Sequence, residues 1–144
     1  MKTFSVATLL IIVMLSTSCS SAASDSSAVA LNADELIEAR ALFQTHCYAC
    51  HTPDGSHEDR VAPPMVAIKK HYLSENTSQA QVVADISNFV LNPSADISKM
   101  PGALRKHGMM VPLKVPEKDL RKIATFIYQQ EIAAPEWFEE HQQN

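Results

Sequence analysis

Two cysteines three residues apart, with a histidine directly after the second, constrain this chain more than any other feature: Cys47-Tyr48-Ala49-Cys50-His51. A redox-active Cys-x-x-Cys pair normally opens a helix that follows a strand in an α/β unit. Here helical apolar spacing precedes the pair, and no strand-like alternation is visible. A structural zinc site needs a second pair of ligands. The only other cysteine is Cys19, far upstream, and the remaining histidines are scattered. A disulfide between residues so close is strained relative to ordinary bridge geometry. The reading that uses all three side chains is covalent haem attachment. The two thiols add across the two vinyl groups on one porphyrin edge, and His51 reaches the iron from the proximal face.

The 144 residues suffice for one compact domain and its core. Only three are glycine, and most apolar spacing is helical, which predicts an all-α domain. The formal charge is −4, and falls to about −5 if the segment carrying Lys2 is removed. No basic stripe exists, which argues against nucleic-acid binding.

The first residues read as an export signal over 1–23. Lys2 supplies a minimal positive start, Val6 to Leu15 is almost wholly apolar, and small residues follow. The apolar run is too short for a permanent bilayer span. Two forms of processing stay open. Cleavage after Ala23 would discard Cys19; a lipoprotein-type signal would end at Cys19 and leave a lipid there. The second pattern usually has an aliphatic residue three before the cysteine, where this chain has Ser16. Either outcome predicts an exported, periplasmic protein, soluble or lipid-anchored, with contact to a membrane only through Cys19.

Residues 24–31 read as a Ser/Ala-rich tether. The domain is expected over 32–132, with a polar tail over 133–144 that contains Trp137 and Phe138. Asn32 with Glu35 three residues on predicts a capped helix start, and Leu36, Ala39, Leu42 and Phe43 continue at helical spacing into the motif. A short helix is predicted from Met65 to Tyr72. A longer one runs from about Ser78 to Leu91, with Val82, Val83, Ile86, Phe89 and Val90 as its buried stripe and Asn92-Pro93 as its stop. From Pro93 to Pro116 the pattern is loop-like. A last helix begins near Pro116, with Leu120, Ile123, Ala124 and Ile127 on its core face.

On these residues the chain resembles the class I c-type cytochromes over most of 32–130. Ala39 and Phe43 stand where that family has a small residue and an aromatic ahead of the motif, and Phe126-Ile127 matches its aromatic–aliphatic pair in the last helix. The resemblance implies an all-α globule of about four helices around one covalently bound haem c per chain, with the first and last helices crossing. It also implies a proline after the motif, Pro63 or Pro64, whose carbonyl accepts a hydrogen bond from His51. The implied distal iron ligand is a methionine thioether. Met110 is preferred, because it lies six residues before Pro116. Met100 is the alternative: it has the favoured Met-Pro dipeptide, but needs a loop ten residues longer. Met109 is a weaker candidate, and Met65 reads as core.

Among the histidines, His46 reads as a solvated or propionate-side neighbour of the motif. His57, His71, His107 and His141 sit in polar contexts, with His107 the leading candidate should the distal ligand be a histidine. Arg105-Lys106, Lys114, Lys118, Arg121 and Lys122 read first as a solvated face, and second as a docking patch beside the methionine loop. The expected function is single-electron transfer between periplasmic or membrane redox proteins, such as a respiratory complex, dehydrogenase or oxidase, without catalysis. Two rival readings are a haem subunit dedicated to one periplasmic enzyme, and a haem-based sensor with a labile sixth position.

Overall fold

The structure is a computed structural model that describes residues 30–74 and 76–141. The export signal expected over 1–23, Cys19 within it, and nearly all of the expected tether lie outside those residues. Among the described residues there are six helices and no strand, in keeping with the predicted all-α class.

Helix α1 spans Ala33–His51. Its start is fixed reciprocally: Asn32 Oδ1 accepts from Glu35 N and Glu35 Oε2 accepts from Asn32 N, each at 3.0 Å. The helix then runs unbroken through the Cys-x-x-Cys-His segment. Residues four apart share a face, so Ala39, Phe43, Cys47 and His51 form one stripe. Its first half, Ala39 and Phe43, is buried in the core. Its second half reaches a cavity.

Helices α2 (Met65–Tyr72) and α3 (Gln79–Leu91) fall where the apolar spacing predicts them, and Ser78 Oγ caps α3 by accepting from Gln81 N at 3.2 Å. Phe89 and Val90, expected in the buried stripe of α3, are only half-buried because both line the same cavity.

The stretch from Pro93 to Pro116 is not all loop. It contains α4 (Pro101–His107), which brings the count above the expected four helices. Pro101 occupies its first turn, where a missing N–H costs nothing. Gly108, at φ +80°, ends it. No residue of α4 is buried, so it carries no apolar stripe that periodicity could detect.

Helix α5 (Glu117–Gln129) packs against both α1 and α3. Leu120, Ile123, Ala124 and Ile127 are buried, as expected. Burial of each large aliphatic or aromatic side chain is worth about 1.5–3 kcal/mol. The α1–α5 contact includes Phe43 and Phe126, with ring centroids 5.1 Å apart, and a Lys122–Glu38 ion pair of 2.6 Å at its edge. Beyond α5 the chain folds back onto the domain: Ile132, Pro135 and Phe138 are buried, and Phe138 opens the short α6 (Phe138–His141).

Candidate functional site

Cys47, Cys50 and His51 share one wall of a cavity of about 300 Å³. The helical stripe on α1 carries Cys47 and His51 there, and Cys50 lies one turn beyond Cys47. Much of the remaining lining is apolar, including Met65, Ile68, Ile86, Leu104 and Leu113. The cavity opens to solvent near Cys50, which is exposed.

His51 is oriented from behind. Its Nδ1 lies 2.7 Å from the Pro63 carbonyl oxygen. A carbonyl can only accept, so Nδ1 carries the proton and Nε2 keeps its lone pair for a metal. Of the two prolines considered from the sequence, Pro63 makes this bond; Pro64 is buried and caps the start of α2. Burial holds the His51 imidazole below its ordinary pKa, opposed by the Pro63 hydrogen bond and reinforced by the nearby Arg60 and His107 charges. A neutral imidazole is the form that ligates a metal.

Burial also pushes the Cys47 thiol up to about 12. A reactive dithiol or a zinc thiolate requires the opposite shift. Among the described residues no group of three or more His, Cys, Asp or Glu side chains is placed to hold a metal ion. Two thiols on one wall, an oriented imidazole beside them and an apolar slot in front fit a flat macrocyclic iron cofactor better than a bare ion. That donor set is the one a covalently attached haem uses.

A second stretch of the lining comes from residues 98–115. Met100, Met109 and Met110 all line the cavity. Met100 is the N-cap of α4, and its main-chain N–H donates to Ser98 Oγ at 3.2 Å. The nine residues between it and Met110 are largely helix, so Met100 does not require the long open loop expected from the sequence. Met110 is half-buried and Met109 is 45 % exposed. Both lie in the extended segment after Gly108, which is tied to α3 by Leu113 N donating to Val90 O at 3.2 Å. Met65, read as core, is buried.

His107 and His46 also line the cavity. Burial holds the His107 imidazole below its ordinary pKa, reinforced by the nearby Lys106 charge. His71 Nδ1 donates to Ala67 O of its own helix at 2.8 Å, away from the cavity lining. His57 lies against Trp137, with ring centroids 4.9 Å apart, and receives Lys106 Nζ at its carbonyl at 3.1 Å.

Arg60 is the residue that sequence reasoning passed over. Its guanidinium bonds to the carbonyls of Thr52, Asp54 and Ala62 in the loop between His51 and Pro63. Main-chain carbonyls carry no sequence signature. The only available signal was an arginine between the Asp54-Gly55 turn and the proline pair.

Comparison with curated proteins and with solved structures gave no match. The profile of one family, described as the Cytochrome c-550 domain, matches residues 15–143, nearly the whole chain. Match, helical fold and the Cys47/Cys50/His51 wall agree, and the chain belongs to the cytochrome c-550 domain family of haem electron-transfer proteins.

Proposed function

We propose that the protein is an exported electron carrier that binds one haem c per chain through Cys47 and Cys50. His51 is the proximal iron ligand and a methionine, Met110, the distal one. The observation that carries this reading is the His51 Nδ1–Pro63 hydrogen bond, which leaves Nε2 free on the wall shared with both thiols. When bound, the haem supplies an iron that cycles between two oxidation states. The chain holds the imidazole neutral, excludes water with apolar lining and offers a soft thioether from the 98–115 stretch of the same cavity. A thioether opposite a histidine favours the reduced iron and raises the potential. The second candidate, Met100, draws support from its fixed position at the start of α4.

The rim of the cavity supports transfer to other redox proteins. Val61 and Val111 are 71 % and 75 % exposed at its mouth. Arg105 and Lys114 are exposed nearby along the chain. Exposed apolar side chains on the lining, with exposed cations close to them in sequence, suit brief docking over a small area, with charge governing the encounter rate. The partners proposed are a periplasmic or membrane-bound dehydrogenase, oxidase or respiratory complex. No helix among the described residues is long and apolar enough to cross a membrane. Contact with the bilayer would come through a lipid on Cys19.

Intact mass, absorption spectra and potentiometric titration of the exported protein test the reading together. The expected result is one haem that resists acid–acetone extraction, low-spin iron in both oxidation states and a one-electron wave. Extractable haem, or a high-spin ferrous form that binds carbon monoxide at once, would overturn it. The same mass separates a chain starting near Ser24 from one acylated at Cys19, and a full-length cytoplasmic chain would refute export.

A further inference from the structure

The loop over residues 52–62 joins the proximal histidine to the proline that orients it. It contains no helix or strand, and Gly55 within it sits at φ +90°. A loop of this kind needs an external constraint if it is to present one carbonyl to one ring nitrogen at 2.7 Å. Arg60, near the end of the loop, supplies that constraint. Nη2 donates to Thr52 O, Nη1 donates to Asp54 O at 2.7 Å, and Nε reaches Ala62 O at 3.4 Å. Thr52 directly follows His51, and Ala62 directly precedes Pro63. One planar guanidinium therefore bridges the two residues that flank the His51–Pro63 bond, a task suited to arginine's rigid fork of donors and unsuited to lysine's single ammonium.

A second brace comes from the C-terminal tail. Trp137 Nε1 donates to Gly55 O at 3.0 Å, and the Trp137 ring lies 5.6 Å from the Arg60 guanidinium carbon. Phe138, buried beside it, anchors the tail. Among the described residues the Arg60 hydrogen bonds all go to main-chain carbonyls.

We propose that Arg60, backed by Trp137, is a positioning residue that fixes the Pro63 carbonyl against His51 and so sets how strongly the proximal imidazole donates to iron. This rests on His51 being the proximal ligand. A tight Nδ1–H···O bond makes the imidazole more basic and favours oxidised iron. Loosening that bond should raise the potential. Removing a nearby positive charge should instead lower it. The two effects have opposite signs, so charge-keeping and charge-removing substitutions separate them.

The experiment compares Arg60→Lys, Arg60→Gln and Trp137→Phe with the parent as exported holoproteins. Three quantities are read: the reduction potential, the exchange rate of the His51 Nδ1 proton by NMR, and the denaturant midpoint. Arg60→Lys should raise the potential and speed exchange roughly tenfold, the order expected for losing about one net hydrogen bond. Trp137→Phe should shift both the same way by less, and as the milder change it covers the case in which an Arg60 variant fails to mature. Arg60→Gln should speed exchange as much as Arg60→Lys but leave the potential lower than in that variant. Parental exchange and potential in Arg60→Lys and Trp137→Phe, even with a lowered denaturant midpoint, would overturn the positioning role and leave only loop stability. If the parent shows no iron-shifted His51 imidazole, the proximal assignment falls first and this inference falls with it.

Discussion

The two walls of the cavity are built on different principles. The proximal wall is the end of a helix whose first half is locked in the core, followed by a loop tied to itself by Arg60 and to the tail by Trp137. The His51 ring, the Arg60 guanidinium and the Trp137 indole there each donate to main-chain carbonyls, and the three attachment residues lie within five positions of sequence. The distal wall is a half-exposed stretch, with a seven-residue helix that buries nothing and an extended segment attached to α3 at Leu113. It offers three methionines and a histidine to the same space. Local sequence can dictate the first kind of wall. The second depends on how a long segment closes, and several closures use the same residues.

If that contrast is right, substitutions on the proximal wall should be all-or-none. Cys47→Ala or Cys50→Ala should prevent attachment through two thioethers, and His51→Ala should remove the proximal ligand. The largest effect expected anywhere in the molecule is the loss of stable holoprotein in His51→Ala, measured as haem-containing mass in the exported fraction. A low-spin holoprotein from His51→Ala with an unchanged spectrum would break the comparison, because the proximal wall would then have a substitute ligand.

On the distal wall the effect should be graded. Met110→Ala is expected to abolish the ferric sulfur-to-iron charge-transfer band, lower the potential and open the iron to cyanide or carbon monoxide. Met100→Ala and Met109→Ala should keep the band. If Met110→Ala keeps it and Met100→Ala loses it, the ligand is the residue at the N-terminus of α4, and the distal wall is more rigid than the contrast allows. If the parent lacks the band while its iron is low-spin, a histidine takes the position, with His107 the first to test.

The same contrast accounts for what the sequence revealed. Helices α1, α2, α3 and α5 each bury apolar residues in the core, so their spacing betrayed them. Helix α4 buries none, and its proline start and glycine stop were the only marks it left. The attachment triplet was legible because its covalent chemistry demands adjacent residues. Choosing Pro63 over Pro64 was beyond sequence, since a one-residue difference is decided by the path of the 52–62 loop. Choosing among Met100, Met109 and Met110 by the spacing that the family resemblance implies treated 93–116 as loop. A helical stretch shortens the span to about 1.5 Å per residue, which weakens the argument from loop length.

Stability should divide along the same line. Ala39 is fully buried in α1, on the face that packs toward α5. Ala39→Leu should overpack that contact and cost about 1–3 kcal/mol in denaturant unfolding of the holoprotein. Val111→Ser, on the exposed distal segment, should stay within about 0.5 kcal/mol of the parent. A comparable loss at both positions would show that the distal segment belongs to the same cooperative unit as the α1–α5 core.

The smallest expected effect concerns a contact that joins the walls. Tyr72, the last residue of α2, is buried and lines the cavity, and Lys99 from the distal segment stands 5.2 Å from its ring centre while pairing with Asp85 of α3. Burial, followed by the Asp85 charge, pushes the Tyr72 hydroxyl up to about 12 from 10.0. The folded state therefore disfavours the phenolate relative to the unfolded chain. The associated stability is fully present below pH 10 and is lost as pH rises from 10 towards 12. Tyr72→Phe removes a titrating group, so the variant should gain on the parent only above pH 10. By pH 11 the gain should reach roughly 1 kcal/mol in the difference between their denaturant midpoints, converted to free energy. Taking that difference cancels the titration of the other tyrosines and the lysines. A flat difference from pH 8 to 11 would mean that Tyr72 is solvated in the folded protein, and that Lys99 does not hold the distal segment down over it.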